Sequence, residues 1–390
     1  MLASDVDTSE DSVPHLAGEA LRHAAEDNLA SLWHREIVLE PAEKTGLSGR
    51  EHVHRFRVRN AGDTAPASVI VKQARDSDEH LRMFHNEWAS LALLSELCPD
   101  PPAPRLYHGD AERHFLLMED LGSGDRLDHA LRGNDPSRAT QMLVSLCETL
   151  GKMHSATFGA GHRLDAILAE HGAQRPERDD RWPQQRAAMD DALNRLGLRP
   201  HDQFLEEMAG IQHHTESADF AVLLHGDPCP DNCQRVGGRV KLLDFEHGRF
   251  GNAFNDGCYP LVHFPTCWCM GRLPDDVTGK ALSAYRAALA GGVPAASDEE
   301  QFERGMLDAS LLWAWGTFAG WHMPKVLERD DEWGLATVRQ RILFRFRLLL
   351  PMLEQNGRYP GIEDTTRRTL ENVSGRWTDV ADMPDYPAFR

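Results

Sequence analysis

Residues Phe220–Glu246 read FAVLLHGDPCPDNCQRVGGRVKLLDFE. The apolar run Phe220–Leu224 has the length and composition of a short buried strand. A polar loop, His225–Asn232, follows it, and two further short strand patterns, Cys233–Val236 and Arg239–Leu243, flank Gly237-Gly238. A Gly-Gly pair between two such runs predicts a two-residue hairpin turn. The second run ends on Asp244-Phe245-Glu246, so Asp227 and Asn232 share one loop and Asp244 lies one hairpin later. Because the hairpin folds the chain back, Asn232 and Asp244 can face one point despite their separation in sequence.

Phosphoryl transfer needs such a set. One carboxylate orients the attacking hydroxyl and takes its proton, while an amide oxygen and a second carboxylate hold Mg²⁺ against the nucleotide phosphates. Asp227 fits the first role, and Asn232 with Asp244 fits the second. HGDxxxxN followed by DFE resembles the aminoglycoside phosphotransferase and choline kinase group, small-molecule relatives of the protein kinases. Protein kinases carry HRDxxxxN and DFG; Gly226 and Glu246 here match the small-molecule branch better. The resemblance implies an α+β, bilobal protein-kinase-like fold, with a small antiparallel-sheet N-terminal lobe and a larger, mainly helical C-terminal lobe. It also implies ATP and Mg²⁺ as cofactors and a small-molecule hydroxyl compound as acceptor.

Upstream, Glu36–Lys44 and His52–Val58 read as strands around the small-residue loop Thr45–Gly49. Backbone N–H groups of such a loop can lie over phosphates, which makes Ser48 a candidate nucleotide contact. Val69-Ile70-Val71-Lys72 resembles the VAIK strand whose lysine contacts the nucleotide phosphates. An inward-facing lysine needs an anionic partner, and Glu87, on a helix expected over Asp76–Leu97, falls where the family's pairing glutamate falls. Arg105–Gly109 and Arg113–Met118 predict a hairpin running into Leu116–Gly122, which resembles the family's lobe connector. That resemblance puts Met118 behind the adenine pocket and gives the backbone of Glu119 and Leu121 to the base.

Asp135-Pro136 starts a helix expected to run to about His154 with an apolar stripe, packing under the catalytic loop. Asp256 resembles the family's brace for that loop. Helices are expected over Pro274–Ala290, Asp298–Gly320, Asp331–Asn356 and Thr365–Asn372. The resulting division is a disordered tail over 1–14, a nucleotide-binding lobe over 15–122, a catalytic and acceptor-binding lobe over 123–378, and a tail over 379–390 with little core-forming content.

The net charge is −19, from 42 basic and 61 acidic residues. Such a field opposes nucleic acid and anionic membranes as partners and suits a cationic acceptor. Trp268, Trp313, Trp315, Trp321 and Trp333, with Glu328, Asp330, Asp331 and Glu332, form an aromatic and acidic set that could attract an amine. No apolar stretch approaches the length of a membrane span, and the acidic start lacks signal-peptide character, so cytoplasm is the expected compartment. The seven cysteines are irregularly spaced and odd in number, which predicts reduced core thiols over disulfides; Cys229, Cys233, Cys267 and Cys269 contain no CxxC pair of a zinc site.

Overall fold

The structure, a computed structural model, describes residues 18–42, 52–59, 61, 65–75, 77–173 and 182–390. The expected tail over 1–14 and the Ser48 loop lie outside them. The chain divides into two compact units, the first drawing its described residues from Met1–Ser123, Ala166–Gln174 and Phe245–His247, the second from Gly124–Asp165, Arg175–Asp244 and Gly248–Arg390.

Five antiparallel strands make the sheet of the first unit: β1 (Leu39–Pro41), β2 (Val53–Val58), β3 (Ser68–Gln73), β4 (Leu106–Asp110) and β5 (Phe115–Glu119), in the order β1-β2-β3-β5-β4. Strand alternation explains its two faces. Val69 and Val71 of β3 are fully buried and join Phe56, Phe115 and Leu117 against Leu21, Ala25 and Leu29 of the helix Gly18–Trp33. Lys72, the next residue, therefore points to the opposite face. The helix Asp78–Leu97 starts at Ser77, whose Oγ accepts from the His80 amide at 3.2 Å, and it buries Phe84, Glu87, Trp88, Leu91 and Leu94.

In the second unit β6 (Asp125–Arg126), β8 (Cys233–Val236) and β9 (Arg239–Leu242) form one sheet, and β7 (Ala221–Leu224) pairs with β10 (Arg249–Asn252). Gly237 and Gly238 both take positive φ, 56° and 85°, the turn that two-residue hairpins require. The helix Pro136–Thr157, capped by Asp135, buries Met142, Leu143, Leu146, Leu150 and Met153, and its Thr149 Oγ1 donates to the Val240 carbonyl at 2.9 Å. No described helix is long and apolar enough to cross a membrane.

Three expectations are corrected here. The helix expected over Asp331–Asn356 starts only at Val338, because Glu332–Trp333 (β11) and Ala336–Thr337 (β12) form a small hairpin around Gly334 at φ 68°. A capping box then fixes the start: the Gln340 amide donates to Thr337 Oγ1 at 3.3 Å, and the Thr337 amide donates to Gln340 Oε1 at 2.8 Å. The helix expected over Asp298–Gly320 is α-helical over Glu299–Leu311 and widens to a π-helical stretch over Leu312–His322. Finally, 379–390 is packed rather than a loose tail. Met383, Tyr386 and Ala388 are buried, and Asp385 pairs with Arg272 at 2.6 Å.

Candidate active site

The strand β7, buried over Val222, Leu223 and Leu224, delivers the chain into His225-Gly226-Asp227. Gly226 sits at φ 83°, a conformation that strains any residue with a Cβ, which accounts for glycine at this place. Asp256 holds the loop from below. The amide of His225 donates to Asp256 Oδ2 at 2.6 Å, and the amide of Gly226 donates to Oδ1 at 3.2 Å. Burial works to raise the pKa of this carboxyl, but the hydrogen bond and charge of His154 more than offset it and hold it below the usual range. His154 Nε2 lies 3.5 Å from Asp256 Oδ2. His225, fully buried, has its pKa pushed down by that burial, which favours the neutral ring. Its Nε2–H donates to the Leu243 carbonyl at 2.8 Å while Nδ1 accepts from the Asp227 amide at 3.3 Å, an arrangement that specifies one tautomer.

Asp227 is oriented by two donors on one oxygen. Thr266 Oγ1 donates to Oδ1 at 2.6 Å and the Cys229 thiol donates to the same atom at 3.0 Å. No described group hydrogen-bonds Oδ2, which is therefore the oxygen available to an incoming hydroxyl. Asn232 Nδ2 donates to the Asp227 carbonyl at 3.1 Å, fixing the amide so that its oxygen is directed away from that bond. The Leu243 amide donates to the Asn232 carbonyl at 2.8 Å, and the β8–β9 register matches Cys233 with Leu242. This pairing extends the hairpin by one rung and brings Asn232 and Asp244 to the same end of it. Asp244 adopts φ 68°, uncommon for a residue other than glycine and typical of strained functional positions.

In the first unit, Lys72 Nζ lies 2.6 Å from Glu87 Oε2, so the lysine on the open face of β3 has found the partner that the sequence predicted. A second carboxylate, Glu246 Oε2, stands 3.8 Å from the same ammonium. Asn86 Nδ2 donates to the Glu246 carbonyl at 3.4 Å. Lys72, Glu87 and Glu246 line a recess with His52, Met83 and Phe84. Met118, buried in β5, is matched with Ile70, and the Glu119 amide donates to the Arg105 carbonyl at 2.8 Å, which commits that amide to the sheet. Leu121 lies two residues beyond the end of β5. Ser48 lies outside the described residues.

Two contacts were missed from sequence. Thr266 is far from Asp227 along the chain and sits in an irregular stretch with no periodic signal. Glu246 was visible as the third residue of DFE, but nothing in its spacing pairs it with Lys72.

The aromatic and acidic set is a correction. Trp315 is fully buried against Phe204 and Phe346, with Nε1 donating to Thr366 Oγ1 at 3.2 Å, so it is core and cannot meet an acceptor. Trp268 and Trp333 already carry cations on their faces, Arg132 at 4.9 Å and Arg341 at 4.2 Å. Trp313 donates to the Asn255 carbonyl at 3.0 Å, and Asp330 Oδ1 accepts from the amides of Asp331 and Arg339. The Trp321 side chain lies outside the described part.

The profile of the phosphotransferase enzyme family matches residues 45–296. No curated protein sequence matches the chain. Among solved structures, choline kinase LicA from Streptococcus pneumoniae is 13% identical, with 84% of this chain and 98% of that one covered and a TM-score of 0.44. Choline kinase from Cryptosporidium parvum Iowa II is 13% identical, with 83% and 92% covered and a TM-score of 0.46. The streptomycin-ATP-APH(2")-IIa ternary complex is 15% identical, with 77% and 91% covered and a TM-score of 0.45.

Proposed function

The chain belongs to the phosphotransferase enzyme family, and on that premise we propose that it moves the γ-phosphoryl group of ATP to a hydroxyl of a small molecule. It is a small-molecule phosphotransferase of α+β, protein-kinase-like fold; the nucleotide, the metal and the residue roles are our reading. The observation that carries it is the state of Asp227, whose Oδ1 is occupied by Thr266 and Cys229 while Oδ2 is left to a hydroxyl.

In this reading Asp227 Oδ2 accepts the acceptor's hydroxyl proton as the acceptor oxygen bonds to the γ-phosphorus and the bond from that phosphorus to the bridging oxygen breaks, ADP leaving with the electron pair. Thr266 holds the carboxylate in the plane that meets the hydroxyl. Lys72, oriented by Glu87, offers its ammonium to the phosphates. Asn232 and Asp244 present an amide oxygen and a carboxylate, the hard oxygen donors that Mg²⁺ prefers, so they fit the metal. Mg²⁺ held by these two residues would supply charge neutralisation at the phosphates. Met118, Glu119 and Leu121 serve the base, and Ser48 the phosphates.

For the acceptor we favour a hydroxyl compound bearing an amine, supported by the net charge of −19, which steers cations inward. The test is a coupled turnover assay across amino alcohols, aminoglycosides and neutral sugars, at low and high salt. Salt-sensitive turnover of the amine-bearing compounds supports the reading; salt-insensitive turnover of neutral sugars alone overturns the amine preference. Asp244→Ala should lose both turnover and magnesium-dependent nucleotide binding. Loss of turnover with unchanged magnesium dependence would remove Asp244 from the metal.

A further inference from the structure

Beside the proposed base, on the second unit, lies a cluster to which the phosphoryl-transfer reading gives no role beyond the bond from Cys229 to Asp227. Cys229 Sγ, Cys267 Sγ and a carboxylate oxygen of Asp231 all lie within 4.8 Å of one another. Cys269 Sγ stands 3.3 Å from Cys267 Sγ. None of the three thiols is in a disulfide, and all are buried. Asp231 is half-buried; Trp268 Nε1 donates to its Oδ2 at 3.2 Å, and no described lysine or arginine pairs with it. Two sulfurs and a carboxylate so placed are a ligand set for a thiophilic cation, and they differ in kind from the all-oxygen pair Asn232 and Asp244.

A second observation points the same way. Arg341 is fully buried and gives its hydrogen bonds to backbone carbonyls: Cys267 at 2.7 Å, Trp268 at 3.0 Å, Trp333 at 2.6 Å and Ala336 at 3.4 Å. No described carboxylate forms an ion pair with it. Buried charges are ordinarily balanced, and a divalent cation held by two thiolates and one carboxylate carries one net negative charge, the balance that Arg341 lacks. Tetrahedral zinc–sulfur geometry places ligand atoms ~3.8 Å apart for bonds of ~2.3 Å, so closure of this cluster needs shifts of about an ångström. The half-buried Asp231 and the partly exposed Trp268 provide the route from solvent.

We propose that Cys229, Asp231 and Cys267 form a zinc site that regulates the enzyme through Asp227. Two thiols bind as thiolates and their protons leave to solvent. The Cys229 thiol that donates to Asp227 Oδ1 at 3.0 Å then has no proton to donate, and the carboxylate loses one of its two orienting bonds. Zinc occupancy therefore lowers turnover. The regulatory half of this inference rests on Asp227 as the base; the site itself does not.

The test titrates the metal-free full chain with Cd²⁺, followed by thiolate-to-metal charge-transfer absorption, and then displaces it with Zn²⁺. One equivalent should give the band, Cys267→Ser should abolish it, Asp231→Asn should weaken binding at least tenfold, and Cys233→Ser should leave it intact. Asp244→Ala should keep the band while losing turnover, so failure of the phosphotransfer reading stays distinct from failure of this one. In turnover assays with excess Mg²⁺, Zn²⁺ should depress the wild type about tenfold, reversibly on chelation, and should not depress Cys267→Ser. Absence of the band, or a band unchanged in both Cys267→Ser and Asp231→Asn, overturns the site. Zinc inhibition of equal size in wild type and Cys267→Ser places the effect at the magnesium ligands and overturns the regulation.

Discussion

Thr266 Oγ1 donates a hydrogen bond to Asp227 Oδ1 at 2.6 Å, beside the Cys229 thiol at 3.0 Å, and the two bonds on one oxygen leave Oδ2 for the proposed acceptor. Replacing Thr266 with Val keeps the shape and removes the donor. A hydrogen bond to a charged group contributes about 1.5–3 kcal/mol, so turnover should fall by roughly tenfold or more while ATP binding stays the same. Thr266→Ser should retain most activity. Steady-state kinetics of both variants checks this, and wild-type turnover in Thr266→Val would deny Thr266 its orienting role.

Lys72 lies between Glu87 at 2.6 Å and Glu246 at 3.8 Å. Glu87 is almost fully buried and Glu246 is not, so the two should differ in effect. Removing one partner of a buried pair is costly, about 3–5 kcal/mol. Glu87→Ala should lower kcat/KM for ATP by at least about a hundredfold, whereas Glu246→Gly should change it by only a few-fold, because a partly exposed and more distant partner contributes about 1 kcal/mol or less. The reverse order would show that Glu246 is the residue positioning Lys72.

His263 is buried, and that burial, with opposing help from a backbone bond near Gly271 and further lowering by Arg345 and Arg272, brings its pKa down to about 3. Its Nδ1 accepts from the Leu273 amide at 2.8 Å. The unfolded chain protonates this ring near its ordinary value of about 6.5 while the folded chain does not. Its stabilising contribution is therefore complete above that pH and is lost as pH falls from about 6.5 toward 3. His263→Asn suits the positive φ of 56° and retains an acceptor. Urea unfolding across this range should show a shallower loss of stability in His263→Asn. Identical pH slopes for the two proteins would contradict the assignment.

Much of the second-unit loop was legible because its signals are local. Gly237-Gly238 fixed the hairpin, and the hairpin carried Asn232 and Asp244 to one end. Lys72 and Glu87 were legible for a different reason: an inward lysine requires an anion, and the following helix offered one. Thr266 and Arg341 were not legible as site neighbours, since the irregular segment that holds Thr266 and Cys267 brings them in and neither period nor spacing encodes that. The misread start of the Val338–Asn356 helix shows the same limit. Trp333 and Leu335 on either side of Gly334 are apolar enough to be read into a helix, and only the positive φ at that glycine with the Thr337 cap places the break. The aromatic set failed because Trp315 satisfies its N–H inside the core, on Thr366, a partner remote in sequence.

The most direct test of the account is transfer of labelled γ-phosphoryl from ATP to a panel of hydroxyl compounds by wild type and Asp227→Asn, with MgATP affinity measured on both by calorimetry. Asn keeps the shape and removes the proton acceptor. Wild type should produce a labelled small-molecule product. Asp227→Asn should do so at least ~100-fold more slowly, the scale of a general base, with MgATP affinity unchanged. Equal transfer by the two proteins would contradict the account.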